Sequence, residues 1–81
     1  MEDAILRFVR DHFKAAIGLR AVDATTPLFT TGVIDSFGVL ELIAFLEDTF
    51  GVDIDPARHE LLEFDTAEKI AALVAAMPKR S

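Results

Sequence analysis

The chain has 81 residues, no cysteine and a formal net charge of −6, a size that allows one domain and excludes two. Disulfides and thiolate metal sites are excluded with the cysteines, which fits a reducing, cytoplasmic setting. No apolar run is long enough to span a bilayer, and the acidic start Met1-Glu2-Asp3 is not that of a signal peptide.

Ile5, Leu6, Val9, Phe13, Ala16 and Ile17 recur at helical spacing, with Arg7, Arg10, Asp11 and Lys14 on the other face. This predicts an amphipathic helix over residues 3–17, stopped by Gly18. Residues 18–35 contain Pro27, two Thr pairs and Gly32 and read as a loop. A loop this long needs anchoring in a compact domain. Leu28, Phe29, Val33 and Ile34 are the candidates to pin it across the core, with Gly32 supplying a turn conformation.

Asp35 and Ser36 then open a second helix, in which Val39, Leu42, Ile43, Leu46 and Phe50 form a core stripe and Gly51 is the stop. Asp53-Ile54-Asp55-Pro56 reads as a turn into a short helical piece, with Leu61, Leu62 and Phe64 as apolar anchors. The last helix starts at Asp65-Thr66, with Glu68 placed three residues after Asp65 as in a capping box. Ile70, Leu73, Val74 and Met77 form its core stripe, Pro78 closes it, and residues 78–81 read as a frayed tail. No segment has strand periodicity or a hairpin signal. The expected fold is all-α: a small bundle of three main helices and one short one, in a single domain spanning residues 1–81.

Charge is unevenly distributed along this frame. Residues 1–34 are neutral overall, residues 35–68 carry ten acids against Arg58 alone, and Lys69, Lys79 and Arg80 are the only charges beyond. An acidic middle disfavours nucleic acid and favours proteins with basic patches, although an acidic face also serves simply to keep a small protein soluble. Enzymatic constellations are missing. His12 and His59 have no partner at ligand spacing, and neither a nucleophile elbow nor a phosphate loop occurs. Asp53 and Asp55 begin like a calcium loop, but Ala57 and Arg58 occupy the next ligand and glycine positions. Neither a catalytic residue nor a metal site is expected. The remaining feature is Asp35-Ser36-Phe37 at the head of a helix, where position alone makes Ser36 an N-cap.

The run Leu28-Phe29-x-x-Gly32-Val33-Ile34-Asp35-Ser36-Phe37-x-x-Leu40-Glu41-Leu42, followed by Phe50-Gly51-Val52 and Phe64-Asp65-Thr66, resembles the acyl carrier protein family. The resemblance implies that Ser36, preceded by Asp35, receives 4′-phosphopantetheine from coenzyme A. It also implies that Phe37, Leu40 and Ala44, with the acids Glu41, Glu47 and Asp48 around them, meet partner enzymes. Those partners would be a phosphopantetheinyl transferase, a loading ligase for acyl or aminoacyl groups, and a downstream acyl-accepting enzyme. The chain itself would be a monomeric, non-catalytic carrier in the cytoplasm, with neither nucleic acid nor membrane insertion involved. Met1 and the full first helix favour a freestanding carrier.

The resemblance departs from fatty-acid carriers at Gly38, where those usually have an acid. Ser-Phe-Gly, Phe-Gly-Val-Asp and Glu-Phe-Asp-Thr are more similar to D-alanyl and stand-alone aminoacyl carriers. The expected cargo is an aminoacyl or specialised short acyl group, with polyketide and fatty-acid carriers as alternatives. Ala44, Ala71, Ala72 and Ala75 leave room in principle for an acyl chain. The alternative of another class is an unmodified acidic helical adaptor.

Overall fold

The computed structural model describes residues 1–79. Four α-helices appear in order: α1 (Glu2–His12), α2 (Lys14–Ile17), α3 (Gly38–Phe50) and α4 (Ala67–Ala75). Two 3₁₀ turns, Pro56–Arg58 and Leu61–Phe64, lie between α3 and α4. There is no strand among the described residues, and the all-α expectation holds. Arg80 and Ser81, half of the expected frayed tail, lie outside the described residues. Lys79 Nζ donates to the Phe50 carbonyl at 3.0 Å.

The core is built from every layer of the sequence pattern. Ile5 and Val9 of α1, Leu28 and Ile34 of the loop, Leu42 and Leu46 of α3, Phe64, and Ile70 of α4 are all essentially inaccessible to solvent. Val33, Val39, Ile43 and Val74 join them. The stripe read from α3 is thus the buried face, with Phe50 half-buried at its end. Phe29, Leu73 and Met77 pack only at the margin of the core.

Four expectations are corrected. The first helix does not run unbroken to residue 17. It bends at Phe13, whose φ of −110° and ψ of 29° leave the helical region. The bend carries the Phe13 ring against Gly38 at the head of α3; a Cβ on Gly38 would lie 2.8 Å from Phe13 Cε1. Second, α3 begins at Gly38 rather than at Asp35-Ser36. Third, Leu61 and Leu62 are exposed, and Phe64 alone of that trio is buried. The 3₁₀ turn is closed by a reciprocal pair between Glu60 and Glu63, whose side chains take each other's backbone amides. Fourth, Asp65 does not cap the last helix. Thr66 does, accepting the Lys69 amide at 3.0 Å.

The long loop is held by hydrogen bonds as well as by its buried side chains. Arg10 of α1 donates through Nε and Nη2 to the Val22 carbonyl. Arg20 caps the end of α2 by donating to the Ala16 carbonyl at 2.6 Å and reaches the Thr31 carbonyl at 3.4 Å. Gly32, at φ 81°, makes the turn that an L side chain resists, and its amide donates to the Phe29 carbonyl at 3.1 Å. Gly51 closes α3 in the left-handed conformation, φ 65° and ψ 40°.

Candidate functional site at the head of α3

The loop delivers the chain to α3 through Ile34, buried at 1% exposure, whose amide donates to the Leu28 carbonyl at 3.0 Å. Asp35 follows and does the capping. Its Oδ1 accepts the amides of Phe37 at 3.1 Å and Gly38 at 2.7 Å, and its carbonyl accepts the amide of Val39. Ser36 therefore has no capping role. It sits exposed in the turn before α3, and its hydroxyl has no hydrogen-bond partner among the described residues. Aspartate and serine are both strong N-cap residues, so local preference could not assign the cap to one of them.

This arrangement also sets the electrostatics of the helix mouth. The first two amides are already occupied by the Asp35 carboxylate, so they are not open to an anion on Ser36. What remains is the positive end of the α3 dipole, offset in part by that carboxylate.

Phe37 is 79% exposed and Leu40 is 56% exposed, and Ala44 is exposed on the same side of α3. They form a surface stripe rather than an extension of the core. The three acids around them are not equivalent. Glu41 is bonded to His12 Nε2 at the end of α1. Glu47 is half-buried, and its Oε2 accepts the Ile54 amide at 2.9 Å, tying the segment after α3 back to the helix. Asp48 is exposed.

His12 belongs to a packed aromatic row. Its ring stacks on Phe8 with centroids 5.0 Å apart, and Phe8 stacks on Phe45 of α3 at 4.2 Å. The row clamps α1 to α3 beside the site.

Asp65 is buried in the fold rather than capping a helix. It is the buried charged residue among those described, at 7% exposure. Its Oδ1 accepts the amides of Phe29 at 2.8 Å and Thr30 at 3.2 Å, and its Oδ2 accepts the Thr30 hydroxyl. Burial pushes this carboxyl up, but the bonds from Phe29, Thr30 and Leu28 outweigh it and leave it below the usual aspartate range.

The room expected beside the alanines is placed differently. Ala71 is buried, whereas Ala44, Ala72 and Ala75 are exposed. An open groove of about 500 Å³ lies outside the bundle, lined by Leu62, Glu63, Lys69, Ala72 and Leu73.

Covalent attachment of a prosthetic group by an ester needs an accessible, uncommitted hydroxyl on a defined backbone. Ser36 meets both conditions. The model of the family described as phosphopantetheine attachment site matches residues 7–74 of this chain. The chain belongs to that family. Ser36 and all the loop anchors fall inside the matched stretch. Among curated relatives, the chain is similar to the D-alanyl carrier protein of Lacticaseibacillus rhamnosus, 43% identical over 47 residues, which is 58% of each chain. The D-alanyl carrier protein 2 of Lactiplantibacillus plantarum is 34% identical over 50 residues, 62% of each chain. The D-alanyl carrier protein of Lactococcus lactis subsp. cremoris MG1363 is 36% identical over 52 residues, 64% of this chain and 66% of the relative. The aligned part thus spans less than two thirds of these relatives. No solved structure matches the chain significantly. No helix among the described residues is long and apolar enough to cross a membrane.

Proposed function

We propose that the protein is a carrier of aminoacyl groups, held on 4′-phosphopantetheine attached to Ser36, and that it works in the cytoplasm. The observation that carries this reading is the exposed, unpartnered Ser36 hydroxyl at the head of α3, inside the stretch that matches the family. The D-alanyl carrier relatives support an aminoacyl cargo over a fatty acyl or polyketide one.

The chain's own residues expose and orient the acceptor. Asp35 takes the capping amides, which leaves the Ser36 oxygen free to react. In the attachment step the Ser36 hydroxyl attacks the phosphorus of coenzyme A nearest the pantetheine. The new Oγ–P bond replaces the bond to 3′,5′-ADP, which leaves, and the hydroxyl proton passes to a base of the transferase. No base among the described residues bonds Ser36, so activation is external and the chain is a substrate in this step. Once attached, the group supplies a terminal thiol for thioester formation, which a chain without cysteine otherwise lacks. Phe37, Leu40 and Ala44, which begin beside Ser36 and run along α3, are the surface that a transferase, a loading ligase and an acceptor enzyme would share, with Glu41, Glu47 and Asp48 at its border.

The test is the intact mass of the protein from its native host, and again after incubation with coenzyme A and a promiscuous transferase. The expected result is a gain of one phosphopantetheine, plus any thioesterified cargo, abolished by Ser36→Ala. A chain that stays unmodified in both settings refutes the carrier reading and leaves an acidic adaptor docking a basic partner.

A further inference from the structure

The loop that presents Ser36 is fastened at a distance. Asp65, immediately before the Thr66 cap of α4, is buried and grips the loop 36 residues upstream through three hydrogen bonds. The backbone adds a fourth bond in the same sense: the Leu28 amide donates to the Asp65 carbonyl at 2.6 Å. Leu28 in turn accepts the Ile34 amide at 3.0 Å, and Ile34 is followed by Asp35, whose carboxylate and carbonyl hold the first three amides after Ser36. An unbroken series of bonds therefore runs from the foot of α4 to the turn that carries Ser36.

We propose that Asp65 is a positioning residue for the modification of Ser36, holding residues 28–34 so that the turn at the head of α3 is presented in one conformation. The inference rests on the carrier reading above. A helix cap does not need this carboxylate, because Thr66 already supplies one. A surface role is excluded by its burial. A charged, desolvated acceptor on two amides and a hydroxyl makes stronger bonds than a neutral one would, and its loss strands three donors. Without it, the loop keeps its own turn, the Gly32 amide on the Phe29 carbonyl, and the backbone bond from the Leu28 amide to the carbonyl of residue 65, but Phe29 and Thr30 lose their acceptor. The loop then samples conformations in which Ser36 is misplaced.

A partly populated competent state raises the apparent KM for the carrier and leaves kcat unchanged. The experiment follows phosphopantetheine transfer to the full chain by intact mass, with coenzyme A and a promiscuous transferase, well below the melting temperature. Asp65→Ala is compared with Val74→Ala, a core truncation in α4 that lowers stability and removes none of the loop's hydrogen bonds. We expect KM to rise about tenfold in Asp65→Ala, as for a competent fraction near 0.1, with kcat within about twofold. Val74→Ala should leave both constants alone. In the unmodified protein, the Ile34 and Gly38 amides should exchange faster in Asp65→Ala than in Val74→Ala. Equal KM values and equal exchange in the two variants overturn the proposal. If Asp65→Ala does not fold, Asp65→Asn and Thr30→Val decide it, with an expected KM rise of about threefold; no rise in either overturns it. A wild-type chain that accepts no group refutes the carrier reading instead, and the amide exchange still tests the link from Asp65 to the head of α3.

Discussion

Gly38→Ala sets two effects of opposite sign against each other, and the structure decides between them. Gly38 is the first residue of α3, and by helix propensity alone alanine should stabilise it by up to about 1 kcal/mol. The added Cβ, however, would lie 2.8 Å from Phe13 Cε1 and 3.0 Å from Ile34 Cγ2. Ile34 is buried and cannot retreat. The Phe13 ring is half-buried, and swinging it out would give up its edge contacts with Phe8 at 6.1 Å and His12 at 5.1 Å. Such aromatic pairs contribute about 0.5–1.5 kcal/mol each, and overpacking of this kind costs about 1–3 kcal/mol. Overpacking wins, and Gly38→Ala should destabilise the chain by about 1 kcal/mol, a fall in Tm of about 4–8 °C for a domain of this size. Thermal and urea unfolding measure it. The same substitution made in a Phe13→Ala background removes the tightest contact and leaves the 3.0 Å approach to Ile34 Cγ2, so the destabilisation should shrink toward zero as helix propensity offsets what remains. A stabilising Gly38→Ala in the wild-type background, or equal effects in the two backgrounds, refutes the contact between the bend in α1 and the head of α3.

The loop anchors should differ in weight. Leu28→Ala, at a fully buried position, should cost about 2–5 kcal/mol, whereas Phe29→Ala should cost less than the 3–5 kcal/mol of a buried phenylalanine, because its ring is only half-buried; urea unfolding ranks them. The Asp65 carboxyl, held below its ordinary value of 3.8 in the fold, contributes stability that is fully present above that value and is lost as pH falls through it toward the lower folded value. Asp65→Asn should accordingly flatten the acid limb of stability against pH, and an unchanged limb would show that the carboxylate is not held by the loop. Leu40→Ala should leave stability within about 0.5 kcal/mol, as expected for an exposed position, yet slow transfer of phosphopantetheine to Ser36; unchanged transfer would put the enzyme contact elsewhere on the surface.

What was legible in the sequence is what is decided within a turn or two of chain. The α3 stripe follows from spacing alone, because Val39, Leu42, Ile43 and Leu46 share one face of a 3.6-residue repeat. Leu28, Val33 and Ile34 were readable as anchors because an apolar residue in a long polar loop has few other uses. Leu61 and Leu62 failed the same logic. Their apolar character was visible, but a one-turn 3₁₀ segment has too little periodicity to say which side faces the core. The bend at Phe13 and the partner of Asp65 were invisible for a different reason. Each is set by a residue more than 20 positions away, Gly38 in one case and the pair Phe29 and Thr30 in the other.

The same division separates the proposed attachment residue from what presents it. Ser36 stood out through its neighbours in sequence, whereas its freedom to react depends on Asp35 taking the cap, a choice that two good capping residues side by side leave open. Glycine is a poor helix former, and in the fold Gly38 is the space into which the Phe13 ring closes α1 onto α3. Asp65 looked like a helix cap, and in the fold it is the acceptor that holds the loop before Ser36. In both residues a locally unfavourable or redundant choice is explained by a contact that fixes the approach to the serine. The head of α3 is therefore held from two directions, by a ring from α1 and a carboxylate from the foot of α4. Ser36 itself is left with nothing to hold.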